Sequence, residues 1–355
     1  MSLLACSILS FNKMFNFGTK VWILLSALVG LSAAATIDGL PPKPAPCPVE
    51  WVGLIGKYGM ENSDSSDFLV REEQGRLQIY RRGQAWDLGP WGRDTFLMQR
   101  GERKSGIAFA RDSSQAGIAC YWDDSLFVRK FFPGEKEAPP KPTLDLPLDS
   151  LWRQARRAVP PKERGRFSLT DLVDVRRFDP EIRLALAYAG SQNSYGFPLY
   201  DRNVALLQRP AARALACANR WLKERGYVLQ LSDAYRPWYV TKFLHLSANA
   251  QMKKFVASPA AGSYHNRGTA VDVTLFDLAA GREADMGHLG GELSERAHRF
   301  YPGGTSLQRW HRLLLRTAME KHGFRGLAKE WWHFRYVAGG RYRLCNRPLS
   351  AVAGE

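Results

Sequence analysis

The stretch Ser263-Tyr264-His265-Asn266-Arg267-Gly268-Thr269-Ala270-Val271-Asp272 is answered far downstream by Glu330-Trp331-Trp332-His333. Alternation from Ala270 to Phe276 predicts a strand with Asp272 and Thr274 on one face and Val271, Val273 and Leu275 on the other. His265 precedes it in a glycine-containing loop, so a loop nitrogen and a strand oxygen can converge on one ion. Gly268 fits the bend, where a side chain would crowd the metal or its substrate. A second strand, Glu330 to Val337, brings His333 to the same place. Two histidines and one aspartate, with a free glutamate beside them, match the needs of a catalytic zinc. Such an ion takes three protein ligands, leaves one position for water, and works with a carboxylate that accepts the water's proton. The expected cofactor is one Zn2+ on His265, Asp272 and His333, with Glu330 as base.

Residues three apart on a regular strand face opposite sides, so Glu330 and His333 can serve one site only if the strand starts on a bend or bulge. Trp331 and Trp332 are expected to wall the pocket and to raise the proton affinity of Glu330 by desolvation. Tyr227 to Leu231 reads as another strand, running into Ser232-Asp233-Ala234-Tyr235-Arg236-Pro237. Arg236 at its end is the natural electrophilic partner for a developing oxyanion, in a turn stiffened by Tyr235 and Pro237. Singly, each residue has a plain structural role: a hydrogen-bonding histidine, a turn aspartate, a core tryptophan pair. Their joint spacing carries the argument. His245, His288, His298, His311 and His322 share no such pattern, and His311 and His322 fall on a helix in solvated or capping roles.

Outward from this constellation, a helix opens at Pro210 and closes at Gly226, a second starts near Trp238, and a third runs from Thr305 or Ser306 to Gly323. Helices and strands mix without a regular βαβ repeat, so the class is α+β for residues 166–350. Residues 48–134 differ. Short alternating segments (Phe68–Val70, Leu77–Tyr80, Thr95–Met98, Ile107–Ala110, Ile118–Tyr121, Leu126–Phe131) separated by glycine and charged turns predict a small all-β domain, a barrel or curled sheet. Residues 135–165, with Ala138-Pro139-Pro140-Lys141-Pro142, read as a proline-rich linker.

The chain of 355 residues carries 50 Lys and Arg against 34 Asp and Glu, a formal charge of +16. This balance suits a polyanionic neighbour, but the basic residues are scattered without a nucleic-acid motif, so no nucleic-acid partner is expected. The apolar run Val21–Ala35, after Lys20 and ending in small residues, predicts a secretory signal over residues 1–35. It is shorter than the ~20 apolar residues of a spanning helix, so export to the periplasm or cell envelope with no stable membrane span after cleavage is expected, with an uncleaved anchor as the alternative. Cys47, Cys120, Cys217 and Cys345 remain after cleavage. Their even number is compatible with one bridge, Cys47 to Cys120, and Cys217 is expected as a buried thiol on the apolar side of its helix.

The motif Ser263-x-His265-x-x-Gly268-x-Ala270-x-Asp272, with Met286-Gly287, Glu295-Arg296-Ala297-His298 and Glu330-Trp331-Trp332-His333, resembles the zinc D-alanyl-D-alanine dipeptidases, the VanX type of peptidase family M15. Tyr188 to Tyr200 and Asp233-x-Tyr235-Arg236-Pro237 are similar to that family as well, and the resemblance runs from Leu172 to Arg347. It implies the fold shared with the Hedgehog amino-terminal domain and the D,D-peptidases. It also implies zinc on His265, Asp272 and His333, Glu330 as base, Arg236 steadying the transition state, and Ser263, Tyr235 and Glu292 around the substrate. The implied substrate is D-Ala-D-Ala or a related D-amino-acid peptide, with peptidoglycan as a further partner. One departure stands out: after Met286-Gly287 the family commonly has Phe-Asp, whose aspartate helps bind the substrate ammonium, whereas this chain has Gly290-Gly291 and then Glu292. Either Glu292 supplies that charge or the preference for a free amino terminus weakens. A D,D-carboxypeptidase acting on stem peptides therefore stays open as an alternative, as does a wall-binding protein without catalysis.

Overall fold

Alternating apolar residues close the first part of the chain into a barrel. In the computed structural model, which describes residues 39–352 apart from 64, 133–146, 250–251, 255 and 289–293, eight antiparallel strands follow in order. They are β1 Gly56–Met60, β2 Phe68–Glu73, β3 Arg76–Arg81, β4 Gln84–Gly92, β5 Thr95–Arg100, β6 Arg103–Arg111, β7 Gly117–Trp122 and β8 Ser125–Lys130. β1 pairs with β8, so the sheet closes without a free edge. Tyr58, Val70, Leu77, Ile79, Met98 and Ile107 fill its interior. Two of these strands escape the sequence pattern. β1 is glycine-rich, and β4 contains Gly89, Pro90 and Gly92, residues that usually end strands. Pro90 is accommodated because the β4–β5 register shifts between Pro90 and Gly92.

The second part is mixed. β9 Leu172–Asp174 pairs with β11 Leu206–Gln208. The main sheet runs β10 (Arg183–Leu184), β12 (Tyr227–Asp233), β13 (Ala270–Asp277), β16 (Glu330–Tyr336), β15 (Phe324–Leu327), with β14 (Arg282–Glu283) also on β13. Only β10 is parallel to its neighbour. Val271, Val273 and Leu275 point into one core with Ala212, Leu215, Ala218 and Leu222 of helix α2 (Arg209–Lys223). The same core takes Leu314, Leu315, Ala318 and Met319 of helix α4 (Ser306–Lys321). A second core joins helix α1 (Leu148–Arg157) to helix α3 (Trp238–Leu246) through Leu151, Ala155, Val240 and Phe243.

Several expectations are corrected here. Residues 148–157, assigned to the linker, form α1, because Leu151 and Ala155 share a face and find an apolar partner in α3. Residues 133–146 of that linker, the secretory segment 1–35, and Gly290, Gly291 and Glu292 lie outside the described residues. All four cysteines from Cys47 onward are free. Cys120 points into the barrel with 0% exposure, while the Cys47 thiol lies against the Pro48 carbonyl. Cys217 is exposed, because the buried stripe of α2 passes through Leu215, Ala218 and Leu222 and leaves it on the far side. His311 is buried, with Nδ1 on the Asp285 carbonyl at 2.9 Å and Nε2 by the Tyr227 hydroxyl at 3.2 Å. No helix among the described residues is long and apolar enough to cross a membrane.

The barrel docks on the start of α4. Glu72 of β2 is 0% exposed, and its carboxylate accepts from the Ser306 backbone N–H at 2.7 Å and from the Ser306 hydroxyl at 2.8 Å. It thereby serves a donor that the helix cannot satisfy and complements the positive end of the helix dipole. Thr305 and Gln308 complete a capping box. Around this contact Arg309 reaches the Glu72 carbonyl and the Glu73 carboxylate, Arg71 the Pro302 carbonyl, and Lys57 the Glu295 carboxylate. Glu72→Ala should destabilise the whole chain by about 2 kcal/mol. Chemical denaturation of the full chain checks this, and a loss confined to the barrel transition would show the two parts to be energetically independent.

Candidate metal centre

Register across the main sheet sets out the centre. Asp272 of β13 lies directly opposite His333 of β16, and on its other side opposite Asp233 of β12. Three polar side chains thus form a row across three strands, where opposed residues stand a few ångströms apart. His265 enters from a short 3-10 turn, His265–Arg267, that ends at Gly268 in the left-handed region at φ 65°. A Cβ on Gly268 would meet Leu172 at 2.2 Å, so the glycine makes room for β9 and not, as its place in the sequence suggests, for a metal or substrate.

The inward atoms converge. His265 Nε2 lies 3.3 Å from His333 Nδ1 and 3.4 Å from Asp272 Oδ1, and the last two are 2.9 Å apart. A tetrahedral zinc with ligands at 2.0–2.1 Å spaces its donors about 3.3 Å apart, so two nitrogens and one carboxylate oxygen here fit that ion. Among the described residues this is the group able to hold a metal. His265 Nδ1 donates to the Ala234 carbonyl at 2.7 Å, which fixes the tautomer and leaves Nε2 as the inward lone pair. Burial pushes the Asp272 carboxyl up, but the neighbouring His265 and His333 imidazoles outweigh it and hold the group far below the usual carboxylate range. Burial also disfavours the His265 imidazolium, and the Asp272 and Asp233 carboxylates overcome that, moving its pKa upward.

Glu330 opens β16, where pairing with β15 slips between Gly326 and Leu327, so the strand begins on an irregularity as its spacing from His333 requires. Burial, followed by the Asp272 charge, raises the Glu330 carboxyl above its ordinary value. Trp331 and Trp332 are both buried in the main core and pack edge to face. The Trp331 indole donates to His288 Nε2 at 3.0 Å. They are core residues first, and the pocket wall expected of them is secondary.

Arg236 is held beside the row. Its Nε donates to Asp233 Oδ2 at 2.9 Å and its Nη2 to the same oxygen, while the guanidinium lies 5.4 Å from the Tyr188 ring. Burial opposes its charge, but Asp233 prevails and its pKa is raised well above the usual arginine value. Asp233, 2% exposed, also accepts from the Tyr200 hydroxyl at 2.5 Å. Asn266 ties the two loops together, donating to the Arg236 carbonyl and to Thr241 Oγ1, both at 2.8 Å. Ser263 lies in the same loop, where its hydroxyl accepts from the His265 N–H at 3.2 Å.

Tyr235 is a correction. It is 1% exposed in the second core and its hydroxyl donates to the Arg347 carbonyl, so the side chain is committed there and does not line the centre. Its neighbour Arg236 takes the inward direction because alternate residues of the chain leaving β12 face opposite ways. The roles of Asp233 and Asn266 show only in the fold, where they meet Arg236 and Thr241, although the three-residue spacing from Asp233 to Arg236 is a signal for the first. Asp233→Asn should keep metal stoichiometry and lower kcat/KM by about 100-fold through loss of the Arg236 anchor. Metal analysis beside steady-state kinetics checks it, and unchanged kinetics would remove Asp233 from the centre.

The D-ala-D-ala dipeptidase model of the Peptidase_M15 family matches residues 168–352. A D-alanyl-D-alanine dipeptidase of Escherichia coli (strain K12) is 35% identical over 175 residues, covering 49% of this chain and 89% of the relative. One from Enterococcus faecalis is 30% identical over 196 residues, covering 49% and 93%, and one from Streptomyces coelicolor 32% over 192 residues, covering 48% and 91%. The matched span holds His265, Asp272, Glu330 and His333, and the barrel precedes it. The chain belongs to the D-Ala-D-Ala dipeptidase family of M15 peptidases.

Proposed function

We propose that the chain is a metallopeptidase that hydrolyses D-Ala-D-Ala, with His265, Asp272 and His333 holding one zinc and Glu330 carrying the proton. The observation that supports it most is the 2.9–3.4 Å triangle of donors beside a carboxyl raised by burial, within a chain of this family. When bound, zinc supplies a Lewis acid that polarises the scissile carbonyl and acidifies water. Glu330, with raised proton affinity, accepts the water's proton and returns it to the departing amine, the two halves of general acid–base work by one group. Arg236, anchored by Asp233, holds the oxygen on which negative charge develops. Ser263 and Glu292 are the groups assigned to the substrate's amino end. Residues 166–350 take the Hedgehog and D,D-peptidase type of fold in this reading, and the apolar Val21–Ala35 run supports export to the cell envelope.

Glu330→Gln should lower kcat by about 10³-fold while metal content stays stoichiometric. Turnover equal to wild type would favour a scaffold without catalysis. On a substrate panel, the full chain loaded with zinc should cleave D-Ala-D-Ala with a kcat/KM at least about tenfold above that on its N-acetylated form, because an acylated amine cannot pair with an acidic group. A preference for the acylated peptide would assign the chain as a carboxypeptidase.

A further inference from the structure

Helix α1 and the segment after it, which precede the span matched by the M15 model, are strongly basic. From Leu148 to Leu169 the chain carries Arg153, Arg156, Arg157, Lys162, Arg164 and Arg166 against two carboxylates, Asp149 and Glu163. Asp149 stands in the first turn of α1, away from the arginines of its last turn. Glu163 is turned inward: its carboxylate pairs with Arg267 at 2.7 Å, accepts from the Leu344 N–H at 2.7 Å, and feels Arg341 as a further cation. Arg153 and Arg157 line one open groove with Ser150, Gln154, Ala158 and, from α3, Lys242, so no acidic residue among the described ones lines it.

These cations are not neutralised locally. Among the described residues no carboxylate pairs with Arg153, Arg157, Lys162, Arg164, Arg166 or Lys242. Arg156 and Arg157 close α1 and suit the negative end of its dipole. Arg153 and Arg157, however, stand one turn apart, where like charges repel, and Lys242 adds a third charge from across the groove. Farther along, Arg341 and Arg343 hold their guanidiniums over the Phe167 ring at 4.6 and 4.3 Å, so two more cations join the segment. Two aliphatic side chains stand in the same stretch outside any core: Val159 is 82% exposed and Leu169 92%.

We propose that this basic surface, from α1 and Lys242 through Leu169, docks the protein on the anionic headgroups of a lipid bilayer. Unpaired cations held on a folded surface are drawn to a negatively charged one, within a Debye length of about 8 Å at physiological salt. The exposed aliphatic pair decides between a bilayer and a soluble polyanion. A polyanion in water gives Val159 and Leu169 nothing to bury against, whereas the boundary between headgroups and acyl chains takes such side chains in. Since α1 and residues 158–167 precede the matched span, the docking is a property that this chain adds to the dipeptidase fold.

The test is partition of the full chain onto vesicles of mixed phosphatidylglycerol and phosphatidylcholine, against phosphatidylcholine alone. The Val21–Ala35 run is common to every arm, so the ratio between the two vesicles is the readout. Wild type should favour the anionic vesicles at least about thirtyfold, and added salt should erase the preference. Arg153→Gln combined with Lys242→Gln should cut that ratio at least about tenfold. Val159→Ser combined with Leu169→Ser should weaken binding to the anionic vesicles about tenfold and leave binding to soluble polyphosphate unchanged. Arg76→Gln combined with Arg103→Gln removes the same charge from exposed barrel residues that already face Asp87 and Asp123, and should leave the ratio within about twofold. Unfolding midpoints equal to wild type show that the variants fold. No preference for anionic vesicles, an equal loss in the barrel control, or unchanged vesicle binding in the serine pair would overturn the proposal, the last in favour of a soluble polyanion.

Discussion

Pairing of Asp272 with His333 across β13 and β16 is the constraint on which the centre depends. Two donors 2.9 Å apart are held by backbone register and not by flexible loops, so the third donor has only one place to arrive. A slip of β13 by one residue would turn Asp272 to the face opposite His333 and bring Val271, Val273 and Leu275 out of the core. Hydrophobic burial beneath the sheet therefore specifies the polar geometry above it. The His265 loop adds the remaining precision through its buried Asn266, which bonds the Arg236 turn and α3 at once.

Carboxylates near the row alternate with nitrogen-bearing side chains. Asp233 and Asp272 are interleaved with Arg236, His265 and His333, so each buried carboxylate has a guanidinium or an imidazole beside it. Buried pairs of this kind add little net stability against an apolar replacement, since desolvation offsets attraction. What they provide is orientation. Asp233 takes two contacts from Arg236 and one from Tyr200, leaving the guanidinium little freedom to turn away. Glu330 stands apart from this scheme: burial first and the Asp272 charge second raise its proton affinity, and His333, His265 and Arg236 offset this only in part.

Much of the centre was legible because its chemistry follows period and spacing. The alternation through Ala270–Phe276 sets Asp272 on the polar face, and the three-residue gap from Glu330 to His333 demands the irregularity found at the start of β16. Several departures share one cause, a partner distant in sequence. Tyr235 points to a core assembled from α1 and α3, and its hydroxyl finds a carbonyl more than a hundred residues away. β4 continues through Pro90 because its pairing with β3 ends at Leu88 and its register with β5 shifts just after Pro90. α1 sits in a proline-rich region and is folded by the face of α3 against which it packs. The Cys47–Cys120 bridge failed on direction, since parity of cysteines says nothing of a thiol that points into a barrel.

The barrel changes meaning once its contacts are followed. As an appended module it would meet the rest of the chain through a wet, exchangeable surface. Instead Glu72, a fully buried carboxylate on β2, supplies hydrogen bonds at the first residue of α4, and Arg309 of α4 returns two contacts to β2. α4 in turn lays Leu314, Ala318 and Met319 on the sheet that carries the donors. Removing the barrel would leave the Ser306 N–H and the Arg309 charge without these partners, at a helix end the main core needs. The barrel is therefore part of what holds the catalytic sheet in register, whatever else its outer surface meets.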